Sequence, residues 1–119
     1  MLDSNGSTAE QVAAHCLARK HYRILARNYH CAHGELDIVC LDGDTLVFCE
    51  VKQRSAGLQS ALLSVSQRKR AKLVAAASRY IAANPHLDGL MTRFDVVTVT
   101  PAGEQWRVHH LPDAFRPED

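Results

Sequence analysis

The run from Gly34 to Lys52 constrains this chain more than any other stretch. It reads Gly34-Glu35-Leu36-Asp37-Ile38-Val39, then Asp42-Gly43-Asp44, then Leu46-Val47-Phe48-Cys49-Glu50-Val51-Lys52. Two β-rich segments around an Asp-Gly turn signal predict a hairpin. Strand side chains alternate between faces. Glu35, Asp37 and Val39 are therefore expected on one face, and Leu36, Ile38 and Cys40 on the other. On the second strand Leu46, Phe48, Glu50 and Lys52 share a face, against Val47, Cys49 and Val51. The loop decides how the acids meet. With Asp42-Gly43 as a two-residue turn, Asp37 pairs with Phe48 and Glu50 is a diagonal neighbour at roughly 7–8 Å. With a loop from Asp42 to Thr45, Asp37 stands opposite Glu50, about 5 Å away at Cβ. A three-residue loop without a bulge separates them.

Facing carboxylates repel and destabilise a strand pair. A divalent cation between them reverses that cost, because hard cations take carboxylate oxygens. Lys52 projects from the same face as Glu50. An acid–acid–lysine cluster around Mg²⁺ or Mn²⁺ suits phosphodiester cleavage: the ion polarises phosphate and activates water, and the lysine offsets developing negative charge. The alternative is a solvated sheet face with ordinary ion pairs.

Four blocks carry a resemblance. Arg27-Asn28-Tyr29, Gly34-Glu35-Leu36-Asp37, Leu46-Val47-Phe48-Cys49-Glu50-Val51-Lys52-Gln53-Arg54-Ser55 and Arg93-Phe94-Asp95-Val96-Val97 together resemble the YraN family of small bacterial proteins. That family is similar to Holliday-junction resolvases and the wider PD-(D/E)XK nuclease superfamily. The resemblance runs from about Glu10 to Phe115. It implies an α/β, restriction-endonuclease-like mixed sheet flanked by helices. It also implies Asp37 and Glu50 as metal acids, Lys52 as the superfamily lysine and Glu10 as a further acid on the first helix. Resolvase-like relatives pair as dimers, so it implies a homodimer as well. Two positions depart from the usual pattern: Ala9, where Gly often precedes the helix glutamate, and Cys49, where Val is usual.

A length of 119 residues with 46% hydrophobic content bounds the chain to a single domain with one sizeable core. No stretch approaches a membrane-spanning length, and no secretory signal pattern opens the chain; the expected location is cytoplasmic. Cys16, Cys40 and Cys49 sit in apolar patterns and read as reduced core residues. The net charge of +1 excludes a dedicated nucleic-acid-coating protein, so any such binding must come from local patches.

The expected order is α-β-β-β-α-β-β. A helix starts at Ser7, with Ser7-Thr8-Ala9-Glu10 as a capping box and Ala9, Val12, Ala13, Cys16 and Leu17 as its apolar stripe. Glu10 serves that cap, the acidic face of the sheet, or both. A strand over Tyr22 to Asn28 precedes the hairpin. Gln53 to Gly57 reads as loop, and Leu58 to Val65 is ambiguous. A helix from about Ser66 to Ala83 buries Leu73, Val74, Ala77, Tyr80 and Ile81 and stops at Asn84-Pro85. Strands follow over Phe94 to Thr100 and Trp106 to Leu111. Residues 1–6 and 112–119 read as loose tails. The helical crossover predicts a fourth strand parallel to a neighbour.

Lys69, Lys72 and Arg79 share a face of the second helix. With Arg54, Arg27 and Arg23 they are the candidate phosphate contacts; the alternative is a solvated helix face. His30-Cys31-Ala32-His33 looks like half of a zinc site but lacks a second ligand pair. Arg93 and Asp95 read as an ion pair within the sheet, and one of His109 and His110 faces inward. No Gly-x-Ser-x-Gly and no glycine-rich phosphate loop is present. The reading that follows is a metal-dependent endonuclease acting on DNA, on branched or damaged structures. Its rivals are a nucleic-acid-binding module of the same fold without turnover, and a protein whose charged hairpin docks a partner.

Overall fold

The computed structural model describes residues 8–54 and 65–117. Apolar residues at helical spacing form α1 (Thr8–Arg19), which buries Ala9, Ala13, Ala14 and Leu17. The same spacing forms α2 (Gln67–Ala83), which buries Leu73, Ala76, Ala77 and Tyr80. Ser66 caps α2, its hydroxyl accepting from the Lys69 N–H at 3.2 Å. Asn84 ends it, and Pro85 opens a short 3₁₀ turn. The strands are β1 (Arg23–Cys31), β2 (Gly34–Asp42), β3 (Thr45–Gln53), β4 (Met91–Ala102) and β5 (Gln105–Phe115). They form one five-stranded sheet in sequence order. β1, β2 and β3 are antiparallel neighbours, β4 runs parallel to β3, and β5 returns antiparallel to β4. This is the expected α-β-β-β-α-β-β mixed sheet, with α2 in the crossover that a parallel pair requires.

Each face of the sheet has its own core. Ile38, Cys40, Val47, Cys49, Val97 and Val99 pack beneath α1 with Ala13 and Leu17. Val39, Leu46, Phe48, Phe94, Val96 and Phe115 pack beneath α2 with Leu73, Ala77 and Tyr80. Because both faces are covered, β3 is an almost unbroken apolar run rather than an alternating one. Glu50 interrupts that run and is 4% exposed. The solvated-face alternative therefore fails for Glu50.

Of the hairpin registers left open by the sequence, the one with Leu41 opposite Leu46 forms, and it closes further, at Asp42↔Thr45. Gly43, at φ +59°, supplies the left-handed residue at the tip. Strict alternation along β2 does not hold. Leu36 joins the α2-side core with Val39, whereas Ile38 and Cys40 face α1. The register Arg27↔Ile38 and Tyr29↔Leu36 puts Asn28 opposite Asp37, and Asn28 sits at φ +54°. A left-handed residue rotates the strand and breaks the period there.

Boundaries also move. β1 starts at Arg23 and continues to Cys31. The loose tail expected from Pro112 is a correction: β5 runs to Phe115, which is 3% exposed and stacks on Phe94 at 5.0 Å between centroids. Pro112 is tolerated because β5 is an edge strand, with one row of backbone groups facing outward. Ser7, residues 1–6, 55–64 and 118–119 lie outside the described residues, and with them the capping box and most of the ambiguous Leu58 to Val65 segment.

Candidate active site

The sheet forks between β2 and β3. Their backbone pairing runs from Asp42↔Thr45 to Ile38↔Cys49. Beyond that point β2 continues with β1 as far as Cys31↔Gly34, and β3 continues with β4 as far as Gln53↔Val99. Asp37 and Glu50 are the next residues after the last β2–β3 pair, at the crotch of the fork. The Val51 N–H, left at the opening, donates to Asp37 Oδ2 at 2.8 Å. This satisfies a part-buried backbone donor that the diverging strand no longer serves.

The two carboxyls are close enough to shift each other's titration. Burial and the neighbouring Glu50 carboxyl push Asp37 up to about 9, with Glu10 adding to the rise and the Val51 N–H opposing it. Burial pushes Glu50 upward too. The Asp37 carboxyl and the ammoniums of Lys69 and Lys52 outweigh burial and hold Glu50 below the usual glutamate range. The two environments therefore favour a protonated Asp37 beside an ionised Glu50. Such a pair offers a hard cation two carboxylates in place of one proton.

Lys52 Nζ is 3.4 Å from Glu50 Oε2, with its side chain 17% exposed. Lys69 Nζ reaches the same oxygen at 3.3 Å from α2, with its side chain 41% exposed. The sequence pointed to Lys69 as a phosphate contact on a helix face and gave no sign that it touches Glu50. Close packing of α2 brings it there. Gly34 has φ +150°, and a Cβ on it would stand 3.5 Å from both the Lys72 Cβ and carbonyl oxygen. That is ordinary contact, so it is the backbone conformation that favours glycine here.

Glu10 lies in the first turn of α1, half-buried, and its charge is felt at Asp37. Among the described residues no three His, Cys, Asp or Glu side chains converge as a ready-made metal cage. The Asp37–Glu50 pair nevertheless suits Mg²⁺ or Mn²⁺, since Mg²⁺ binds through one or two carboxylates and keeps several waters. Sequence reasoning missed Asn28, which stands opposite Asp37. Its Nδ2 is buried with no hydrogen-bond partner, and so is Thr98 Oγ1, which neighbours Lys52 in the β3–β4 register. The left-handed conformation of Asn28 leaves no pattern in a single sequence.

The other basic candidates are spread over the fold. Arg27 pairs with Ile38, an α1-side residue, so it points away from Lys69, and its Nε and Nη2 are sealed from solvent. Arg54 follows β3 at the forked end, its N–H donating to the Val99 carbonyl at 3.1 Å. Lys72 and Arg79 are exposed along α2, and Arg23 is exposed at the far end of β1. His30 pairs with the exposed Glu35 at 3.3 Å, and among the described residues no metal cage forms around His33 or Cys31.

Arg93 and Asp95 form the expected ion pair, on the opposite side of the sheet from Glu50. Arg93 donates to both oxygens of Asp95, at 2.8 and 3.1 Å, and also to Asp42 and the Tyr22 hydroxyl. Asp95 further accepts from the Asp113 N–H, and it lies 2.7 Å from His110 Nε2. Lys20 Nζ, which can only donate, is 3.2 Å from His110 Nδ1. Nε2 therefore carries the proton of a neutral His110. The network ties the segment between α1 and β1 to β2, β4 and β5 and is structural.

This chain is similar to bacterial proteins that carry only a family name. A UPF0102 protein of Geobacter metallireducens is 42% identical over 116 residues, covering 94% of this chain and 92% of its own. One from Frankia casuarinae is 45% identical over 115 residues, covering 95% and 97%. One from Acidiphilium cryptum is 44% identical over 117 residues, covering 98% and 88%. The model of the uncharacterised protein family UPF0102 matches residues 9–99, a span that holds Glu10, Asp37, Glu50, Lys52 and Lys69. With that span and these identities, the chain belongs to UPF0102, the YraN family that its sequence blocks resemble.

Proposed function

We propose that this chain is a cytoplasmic, metal-dependent endonuclease acting on DNA, on branched or damaged structures. The observation that carries the reading is the buried Asp37–Glu50 pair at the fork, with the Lys52 ammonium on Glu50. Asp37 and Glu50 hold Mg²⁺ or Mn²⁺. The bound ion supplies Lewis-acid polarisation of the phosphate and a more acidic water. Lys52 stabilises negative charge developing on the phosphate. Glu10 orients water from the α1 side. A homodimer presents two such sites to two strands.

A second reading is a nucleic-acid-binding module without turnover. The neutralisation of Glu50 by two ammoniums favours it, because a carboxylate so compensated is stable without a cation. Labelled branched, nicked and linear DNAs incubated with Mg²⁺ or Mn²⁺ separate the two. The endonuclease reading expects cleavage of at least one substrate by the parent and none by Asp37→Asn. Tight binding with no cleavage across the panel supports the module.

A further inference from the structure

Resting on the reading of Asp37 and Glu50 as a cation site, we propose that Lys69 is a substrate-binding lysine released by the metal. Glu50 holds its ammonium in the metal-free protein. A divalent cation on Glu50 frees that ammonium for a phosphodiester oxygen of nucleic acid.

The argument begins with crowding at one atom. Lys52 and Lys69 both lie on Glu50 Oε2, at 3.4 and 3.3 Å. A dication between Asp37 and Glu50 takes up the charge of both carboxylates. The two ammoniums are then uncompensated beside a buried +2 ion, where like charges repel strongly. One of them must leave or gain a new anion.

Lys52 is the poorer candidate to move. It stands two residues from Glu50 on the same face of β3, is paired to β4 at Thr98, and is 17% exposed. Lys69 comes from another element, is 41% exposed, and among the described residues its ammonium has no other partner. Its setting also favours an anion. The first turn of α2 contains Arg68, Lys69 and Arg70 and no acid. Cations at a helix N-terminus oppose the macrodipole. Arg70 offsets that cost locally by donating to the Val65 carbonyl at 3.0 Å and lying over the Phe115 ring. Lys69 offsets it only through Glu50, the residue the cation takes. A phosphodiester entering at the fork restores neutrality to the freed ammonium. A lysine handed over in this way makes nucleic-acid affinity depend on the metal.

The test is binding, which does not require turnover. Mn²⁺ uptake by the full chain is measured first by calorimetry. Affinity for a phosphorothioate-backbone duplex is then measured over a salt series, with and without saturating Mn²⁺. In the parent, Mn²⁺ is expected to steepen the slope of log K against log salt by about 0.9, one phosphate contact. Lys69→Gln should abolish that steepening and leave Mn²⁺ affinity unchanged or tighter. Arg107→Gln, an exposed cation on β5, should keep it. Equal steepening in the parent and in Lys69→Gln overturns the handover, as does Mn²⁺ uptake by the parent without any steepening; both leave the cation site standing. A parent that takes up no Mn²⁺ overturns the cation site and the handover together.

Discussion

Asp37 and Glu50 stand side by side where β2 and β3 part, and burial next to Glu50 favours the protonated form of Asp37 while Lys69 and Lys52 favour the ionised form of Glu50. A cation entering between them must displace the Asp37 proton. Mn²⁺ affinity is therefore expected to rise by about tenfold per pH unit through neutrality, levelling off near pH 9. Calorimetry in buffers of different ionisation enthalpy should show about one proton released per ion. A flat pH profile contradicts a protonated Asp37.

The same proton affects stability without metal. Asp37 is raised from an ordinary value of 3.8 to about 9, so the folded state binds a proton that the unfolded chain releases. Its contribution is fully present below pH 3.8 and is lost as pH rises towards 9. Asp37→Asn mimics the protonated acid and cannot titrate. Its melting temperature in chelator should fall less between pH 5 and pH 9 than that of the parent, and parallel curves count against the assignment.

Lys52 and the acids are separable by sign. Removing Asp37 removes a ligand, so Asp37→Ala should lose Mn²⁺ affinity at least tenfold, about 1.4 kcal/mol, together with cleavage. Removing Lys52 takes away a cation that competes for Glu50 Oε2. Lys52→Ala should keep or tighten Mn²⁺ binding and lose about 10²- to 10³-fold in single-turnover rate. Full activity in Lys52→Ala refutes its catalytic role.

Local signals made most of this architecture legible. Period-two alternation identified β3, whose two faces pack as expected, and helical spacing placed Leu73, Ala77 and Tyr80 under α2. The acids were legible because a charge inside an apolar run needs a reason. Three features were not legible, each for a physical cause. Lys69 meets Glu50 through packing of a distant helix, and nothing at its own position encodes that contact. Leu36 changes face next to Asn28, which adopts a left-handed backbone on the neighbouring strand, and a contact across strands leaves no local pattern. Phe115 belongs to an edge strand whose Pro112 and Asp113 resemble a tail, yet its ring closes the stack begun by Phe48 and Phe94.

Asn28 gives the site's backbone its own test. At φ +54° a residue with a Cβ costs about 1–2 kcal/mol unless it is Asn, Asp or Gly. Asn28→Ala should destabilise by about that amount in urea melts, whereas Asn28→Gly should remain close to the parent. If the amide matters only for conformation, Asn28→Gly also keeps full Mn²⁺ affinity. Lost affinity in a stable Asn28→Gly assigns the buried Nδ2 to the acid pair.

Phe115 tests the corrected tail. It is 3% exposed, stacks on Phe94, and lies beneath the Arg70 guanidinium at 5.2 Å. Phe115→Ala should cost about 3–5 kcal/mol, measured by urea unfolding. A loss below about 1 kcal/mol would mean that the segment after Leu111 contributes no core.

Asp95 makes the strongest demand on the scaffold. Its side chain is 0% exposed and takes two hydrogen bonds from Arg93 and one from the Asp113 N–H, with His110 Nε2 at 2.7 Å. Burial pushes its carboxyl up, but His110, Arg93 and the Asp113 N–H outweigh burial and hold it below its ordinary 3.8. The folded value is depressed, so the stabilisation is present above pH 3.8 and is lost as pH falls through the folded value. Among the described residues, removing the charge leaves the Arg93 guanidinium with Asp42, at 3.0 Å, as its carboxylate partner. Breaking such a buried pair costs about 3–5 kcal/mol, and Asp95→Asn should lose that much at pH 7. Asp42, with its side chain 42% exposed, supplies the comparison: Asp42→Asn should cost under about 1 kcal/mol. In urea melts repeated at pH 3, the gap between Asp95→Asn and the parent should narrow. Equal losses for the two variants at pH 7 would show that Arg93 is held by its surroundings and not by Asp95.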